Sequence, residues 1–203
     1  MKTIKLITLI AIFIGFSSCS SSDDDPVILQ VESESILNLH APQLGGQGAP
    51  VSGVFTKFDF ATGTTTTSAT EWDIAFRGTT IIINGGVSYG ATDEPERTGE
   101  AAAYLATGTM AGISSVNPSF LEQDSVNGYV LSAWYAYAGP PTHLISPVPG
   151  KIIIIKTRDG KFAKMEILSY YKDAPENPDA YVDEERYFTF NYVYQPNAGM
   201  TSF

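Results

Sequence analysis

The chain is poor in the residues that most often carry chemistry. Of its 203 residues one is cysteine, Cys19, and two are histidine, His40 and His143. A single cysteine excludes an internal disulfide and a multi-thiolate metal site. No histidine pair has zinc-ligand spacing, and HExxH is absent. Positive charge is scarce too: 12 Lys and Arg stand against 22 Asp and Glu, with no basic stretch. That balance argues against a nucleic-acid partner, whose phosphates need a basic face. There is no Walker A sequence, no dinucleotide-binding glycine pattern and no G-x-S-x-G elbow. Nothing in the sequence supports an enzyme, and the chain reads as a binding or structural protein.

Long apolar runs are missing as well. Leu6 to Phe16 is about 11 residues, broken by Thr8 and Gly15. A membrane-spanning helix needs about 20. Lys2 and Lys5 precede this run, and the small residues Ser17 and Ser18 follow it, leading to Cys19. That is the layout of a secretory signal peptide, residues 1–18. Phe16-Ser17-Ser18-Cys19 resembles the bacterial lipobox, in which cleavage precedes the cysteine and acyl chains are added to it. Cys19 is then the lipidation site and the point of attachment to a membrane, and no thiol remains for a nucleophile. Several acyl chains anchor strongly, at about 0.8 kcal/mol per buried methylene. Residues 19–26 continue as an acidic Ser/Asp tether, which resembles the surface-export signal of Bacteroidota lipoproteins. The expectation is an outer-membrane protein, lipid-anchored and exposed at the cell surface. Loss of Lys2 and Lys5 leaves 10 basic against 22 acidic residues, a mature charge of about −12. This supports solubility and identifies no ligand.

Residues 27–203 read as a single domain of mainly antiparallel β-structure with a few short helices. Val27 to Leu39 alternates in part. Val54 to Phe60 is a strand with aromatic bulk. Glu71 to Arg77 places Trp72, Ile74 and Phe76 on one face of a half-buried strand, with Asp73 and Arg77 on the other. Thr79 to Ile83 is a β-branched run closed by Asn84-Gly85-Gly86. Glu100 to Leu105 suggests a short helix, and Asn117 to Glu122 a helical turn with Pro118 early in it. Val130 to Tyr137 returns to strand character. Ile152 to Ile155 has the continuous apolar content of a strand buried on both faces. Asp159-Gly160 is a hairpin turn, Phe162 to Tyr171 its return strand, and Arg186 to Tyr194 the last strand.

Two features bear on ligands. Asp173, Glu176, Asp179, Asp183, Glu184 and Glu185 offer oxygens for calcium, but their spacing is not that of an EF-hand and a solvated loop is the simpler reading. His143 lies in Ala138 to Pro147, a proline-rich loop just after Trp134, Tyr135 and Tyr137. A neutral imidazole beside aromatic walls suits haem iron; a loop histidine bonded to backbone is the bland alternative. Met110 and Met165 carry thioethers, a second type of axial ligand, and Met165 sits on a strand.

The stretch from Trp72 onward resembles the HmuY family of haem-binding lipoproteins. The matching pieces are Glu71 to Arg77, Asn84-Gly85-Gly86, the Trp134 strand with its Gly-Pro loop, Asp159 to Lys164, Ser169-Tyr170-Tyr171 and the final Tyr-Phe-Thr-Phe strand. The resemblance implies an all-β fold that holds a ligand between extended loops at one end. It also implies haem capture outside the cell and delivery to an outer-membrane receptor. Well-known members hold iron with two histidines, one before the tryptophan strand and one in the Gly-Pro loop. This chain lacks the first, and His143 lies further along the loop than the second, with Gly139 nearer that position. Some relatives use methionines. The expected site is therefore His143 on iron, with Tyr135, Tyr137 and Met110 around a haem or similar planar ligand. The alternative is a structural or protein-interaction lipoprotein on the same scaffold.

Overall fold

The computed structural model describes residues 27–46 and 48–203. The signal segment, Cys19 and the acidic tether lie outside the described residues. Among the described residues thirteen strands follow one another. The first five are β1 (Glu32–His40), β2 (Leu44–Gly46), β3 (Ala49–Ser52), β4 (Thr56–Asp59) and β5 (Thr64–Thr66). Then come β6 (Ile74–Arg77), β7 (Thr80–Ile83), β8 (Ala102–Thr107) and β9 (Tyr135–Tyr137). The last are β10 (Ile145–Pro147), β11 (Lys151–Lys156), β12 (Phe162–Tyr171) and β13 (Glu185–Gln195). A five-stranded antiparallel sheet has the order β1-β13-β12-β11-β8, and a four-stranded one the order β5-β4-β6-β7. The all-β reading holds. Helix is confined, among the described residues, to one 3₁₀ turn at Pro118–Phe120, capped by Asn117 Oδ1 accepting from the Ser119 N–H at 3.1 Å.

The two sheets pack face to face. Their shared core takes Phe58, Phe60, Ile74, Phe76, Ile81 and Ile83 from the smaller sheet. The larger sheet supplies Ile153, Ile155, Met165, Phe188, Phe190, Tyr192 and Tyr194. Phe58 meets Phe190 edge-on at 5.5 Å, and Phe76 packs on Phe188 at 4.9 Å. β11 is buried on both faces, as a continuous isoleucine run requires. Ile153 and Ile155 enter the shared core, while Ile152 and Ile154 lie on the outer side with Val116 and Phe162. The Asp159-Gly160 turn joins β11 to β12, and Gly160 takes φ +83°, which a side chain would resist.

Three local expectations are corrected. Glu100 to Leu105 is not helical: β8 pairs with β11 from Ala102↔Lys156 to Thr107↔Lys151. Edge pairing onto an apolar strand outweighs alanine's helix preference. Val130 to Tyr137 is strand only from Tyr135, because Leu131 and Trp134 turn into the core and the Trp134 Nε1–H donates to Thr79 O at 2.9 Å. Trp72 does not share a face with Ile74 and Phe76. It precedes β6 and packs with Phe55, Ala75 and Ile82 on the outer side of the small sheet. That strand is accordingly buried on both faces rather than half-buried.

A buried ionic group ties the sheets together at one end. Arg158 reaches Asp59 at 3.0 Å, Asp73 at 3.1 Å and Glu71 at 2.7 Å. Asp73 also accepts the Phe60 N–H and the Arg158 N–H, each at 3.0 Å. Burial pushes its carboxyl up to about 6, against the opposing pull of these donors. The same three carboxylates raise Arg158 above its ordinary value.

Candidate functional site

Strand direction defines two poles. β1 runs from Glu32, opposite Tyr194, to His40, opposite Tyr187. β12 begins opposite Gln195 and ends at Tyr171, opposite Glu185. His40, Tyr171 and Glu185 thus share one pole, and the 172–184 loop leaves from it.

The proline-rich loop belongs to the same pole. β9 and β10 form a two-stranded ribbon with Tyr137 opposite Ile145 and Tyr135 opposite Pro147. The ribbon is fixed to the sheet by the Ile145 N–H, which donates to Tyr171 Oη at 3.0 Å. Trp134 roots its other arm, 5.0 Å from the Tyr135 ring and 5.1 Å from Phe188. Within the loop the His143 N–H donates to Gly139 O at 2.8 Å, and the Ala138 N–H to Leu144 O at 2.9 Å. These bonds hold His143 at φ +52°, in the left-handed region. A non-glycine residue kept there is a recurrent mark of functional loops.

The imidazole of His143 is exposed between two exposed tyrosines. Its Nδ1 is hydrogen-bonded to the Tyr137 hydroxyl. The Tyr137 ring lies 5.9 Å away at a 35° tilt, and the Tyr181 ring 5.9 Å away, edge-on at 88°. Tyr181 bridges the two loops, donating from its hydroxyl to Pro141 O at 2.8 Å. Next to this group is a cleft of about 440 Å³ lined by Pro141, Thr142, Leu144, Pro178, Ala180 and Tyr181, with Asn177 and Asp179 as its polar members; Tyr181 is its aromatic wall, and His143 and Tyr137 are not among the lining residues. That volume lies within the range of small-molecule sites. The 172–184 loop is shaped by its carboxylates. Asp179 Oδ1 accepts from the Tyr181 N–H at 2.9 Å, and Asp183 Oδ2 from the Asp179 N–H at 2.8 Å. These are local turns of the kind Asp favours. No cluster of acidic, histidine or cysteine side chains among the described residues is arranged to hold a metal ion.

The expected site residues are only partly brought together. His143 and Tyr137 are in contact. Tyr135 is half-buried and packs inward on the core, supporting the ribbon. Met110 is elsewhere. It packs beside Ile152, Ile154 and Phe162 on the outer face of the large sheet, and its carbonyl accepts from Lys164 Nζ at 2.7 Å. Met165 is core. Tyr181 was not foreseen. Its signal was an aromatic-aliphatic pair, Tyr181-Val182, left exposed inside an acidic, proline-flanked loop.

The fold is an antiparallel β-sandwich that carries a loop-built cleft at one pole, with Tyr181 as its aromatic wall. Residues 53–192 match the HmuY protein family. The chain belongs to the HmuY family. The fold agrees. An apo HmuY analog from Tannerella forsythia superposes at TM-score 0.54 over 84% of this chain and 99% of its own, with 14% identity. A protein of Bacteroides fragilis assigned as a lipoprotein superposes at 0.50 over 82% and 90%, with 12% identity. None of the curated proteins matches the chain in sequence.

Proposed function

We propose that this chain is a surface lipoprotein that holds haem, or a similar planar apolar ligand, in the cleft between the 138–144 and 172–184 loops. The carrying observation is the contact series Tyr137–His143–Tyr181 next to a cleft that Tyr181 and the neighbours of His143 in the chain, Thr142 and Leu144, help to line. The donor set fits a haem. With Nδ1 occupied by the Tyr137 hydroxyl, Nε2 is the ring nitrogen free to meet iron. A partner on the other nitrogen fixes ring orientation and raises ligand basicity. Tyr181 and Pro141 offer flat apolar contact to a macrocycle, and bound iron would supply the coordination bond that sets affinity. Asp179 borders the cleft, so acidic groups of the ligand must face solvent, away from a like charge. Met110 lies on the other side of the large sheet, so His143 is the single iron ligand in this reading. The lipid anchor at Cys19 keeps the carrier at the outer membrane, where a receptor accepts the ligand.

Titration of the purified protein with haemin tests this. The expected result is a Soret shift with one-to-one stoichiometry, lost or moved in His143→Ala. A shift unchanged in that variant rejects the ligand assignment. No shift in the parent protein favours an interaction lipoprotein without haem. Protease shaving of whole cells tests display: a domain cut only after lysis contradicts surface exposure.

A further inference from the structure

The pole opposite the cleft carries exposed aliphatic side chains where the tether enters the fold. Val27, Ile28 and Leu29 are 85%, 64% and 54% exposed, and Val31 is 38% exposed. Other exposed apolar side chains, such as Leu37, Val54 and Val126, stand singly along the chain or, as Tyr181 and Val182, in a pair; four in five residues at the entry of an acidic chain make a contiguous apolar run. They are not loose. The Leu29 N–H donates to Asn197 Oδ1 at 2.9 Å, and Asn197 Nδ2 donates to Leu29 O at 2.8 Å. This side chain clamps the segment to the turn after β13, where Met200 is also 38% exposed. The fold therefore holds an aliphatic ridge in a fixed orientation.

We infer that this ridge is a membrane-contact surface, seated in the lipid leaflet that receives the acyl chains of Cys19. The inference rests on the lipid-anchor reading and adds a contact made by the folded domain itself. Two observations name the occupant. Seven residues, 20–26, separate Cys19 from Val27, and at ~3.5 Å each they reach at most ~25 Å. The ridge is thus held within reach of the bilayer, at an effective concentration on the order of millimolar. The ridge also lacks the basic residues that an electrostatic contact uses; its chemistry is that of hydrocarbon. The geometry sets the orientation of the domain as well. β1 spans nine residues from the ridge side to His40, so at about 3.3 Å per residue the cleft pole stands roughly 30 Å from the contact. The Tyr137–His143–Tyr181 group faces away from the membrane, toward whatever delivers or accepts the ligand.

The test uses the mature lipidated protein in phosphatidylcholine vesicles. Acylation of Cys19 leaves an introduced cysteine as the sole thiol, so an environment-sensitive dye can be placed at Ile28→Cys or, at the cleft pole, at Val182→Cys. The expected result is blue-shifted emission from the dye at 28, with several-fold quenching by lipids brominated along the acyl chain. The dye at 182 keeps water-like emission and is not quenched. Replacing Val27, Leu29 and Val31 with serine should return the dye at 28 to water-like emission while the protein still pellets with vesicles. Pelleting with an unshifted dye at 28 overturns the inference and leaves the anchor standing. Failure to pellet overturns both. Equal quenching at 28 and 182 overturns the orientation.

Discussion

Arg158→Met removes one cation from three carboxylates, and its cost should depend on pH in a defined way. Asp73 and Asp59 expose only 1% and 7% of their side chains, while Glu71 exposes 65% and counts for little. Breaking a buried pair by deleting one partner costs about 3–5 kcal/mol, because a charge is left uncompensated. Asp73 modulates that figure. Its folded value of about 6 lies above the ordinary 3.8, so the folded state binds its proton more tightly than the unfolded chain does. Stability from this group therefore rises as pH falls from about 6 toward 4, and is lost as pH climbs through 6. The gap of roughly two units corresponds to about 3 kcal/mol between the two limits. Without Arg158 the carboxyl rises further, and a proton can replace the missing guanidinium. The variant should lose about 3–5 kcal/mol at pH 7 and markedly less at pH 5. Urea unfolding followed by tryptophan fluorescence measures this, since Trp72 and Trp134 are both buried. A loss below about 1 kcal/mol at pH 7, or equal losses at both pH values, refutes the account of this cluster as a buried, proton-responsive tie.

Two further outcomes follow from the packing and from the loop. Ile153→Ala opens a cavity between the sheets, where Ile153 is 1% exposed, and should cost about 2–5 kcal/mol in the same unfolding assay; a cost under about 1 would mean that the strand layers collapse onto the gap. Tyr137→Phe removes the hydroxyl from His143 Nδ1 while keeping the ring, and should weaken haemin binding about tenfold or more without changing stability. Unchanged affinity would place the imidazole outside the coordination sphere.

What the sequence revealed follows physical lines. β11, β12 and β13 were legible nearly to the residue, because Ile152 to Ile155, Phe162 to Tyr171 and Arg186 to Tyr194 carry unbroken strand periodicity and a turn that needs Gly160. The errors fall where tertiary contacts decide. Ala101 and Ala103 read as helix, yet their small side chains are what a crowded core accepts beside β11. Trp72 broke alternation because β6 starts after it, at Ile74. In the site, His143 and Tyr137 were visible through proximity in one loop. Tyr181 was hidden because its contact with Pro141 spans 40 residues, and no local pattern encodes a meeting of two loops. Met110 was drawn in by its thioether alone, and the packing around Lys164 and Ile152 puts it on the wrong side of the sheet.

The arrangement explains how the fold can persist at 12–14% identity to the two superposed structures. The sheets are held by aromatic and β-branched positions that many residues of similar volume can fill. The cleft is built by two loops whose geometry depends on a few hydrogen bonds: Ile145 to Tyr171 between strand ends, Tyr181 to Pro141 between the loops, and His143 to Gly139 within one of them. Changing loop residues then changes the ligand set at little cost to the core. His143 stands further along its loop than the resemblance to haem-binding relatives led one to expect, and a residue brought in from the opposite loop, Tyr181, faces it. If the proposed site holds haem, His143 is the one protein ligand that this reading gives the iron. Transfer of the ligand would then need one protein bond broken rather than two.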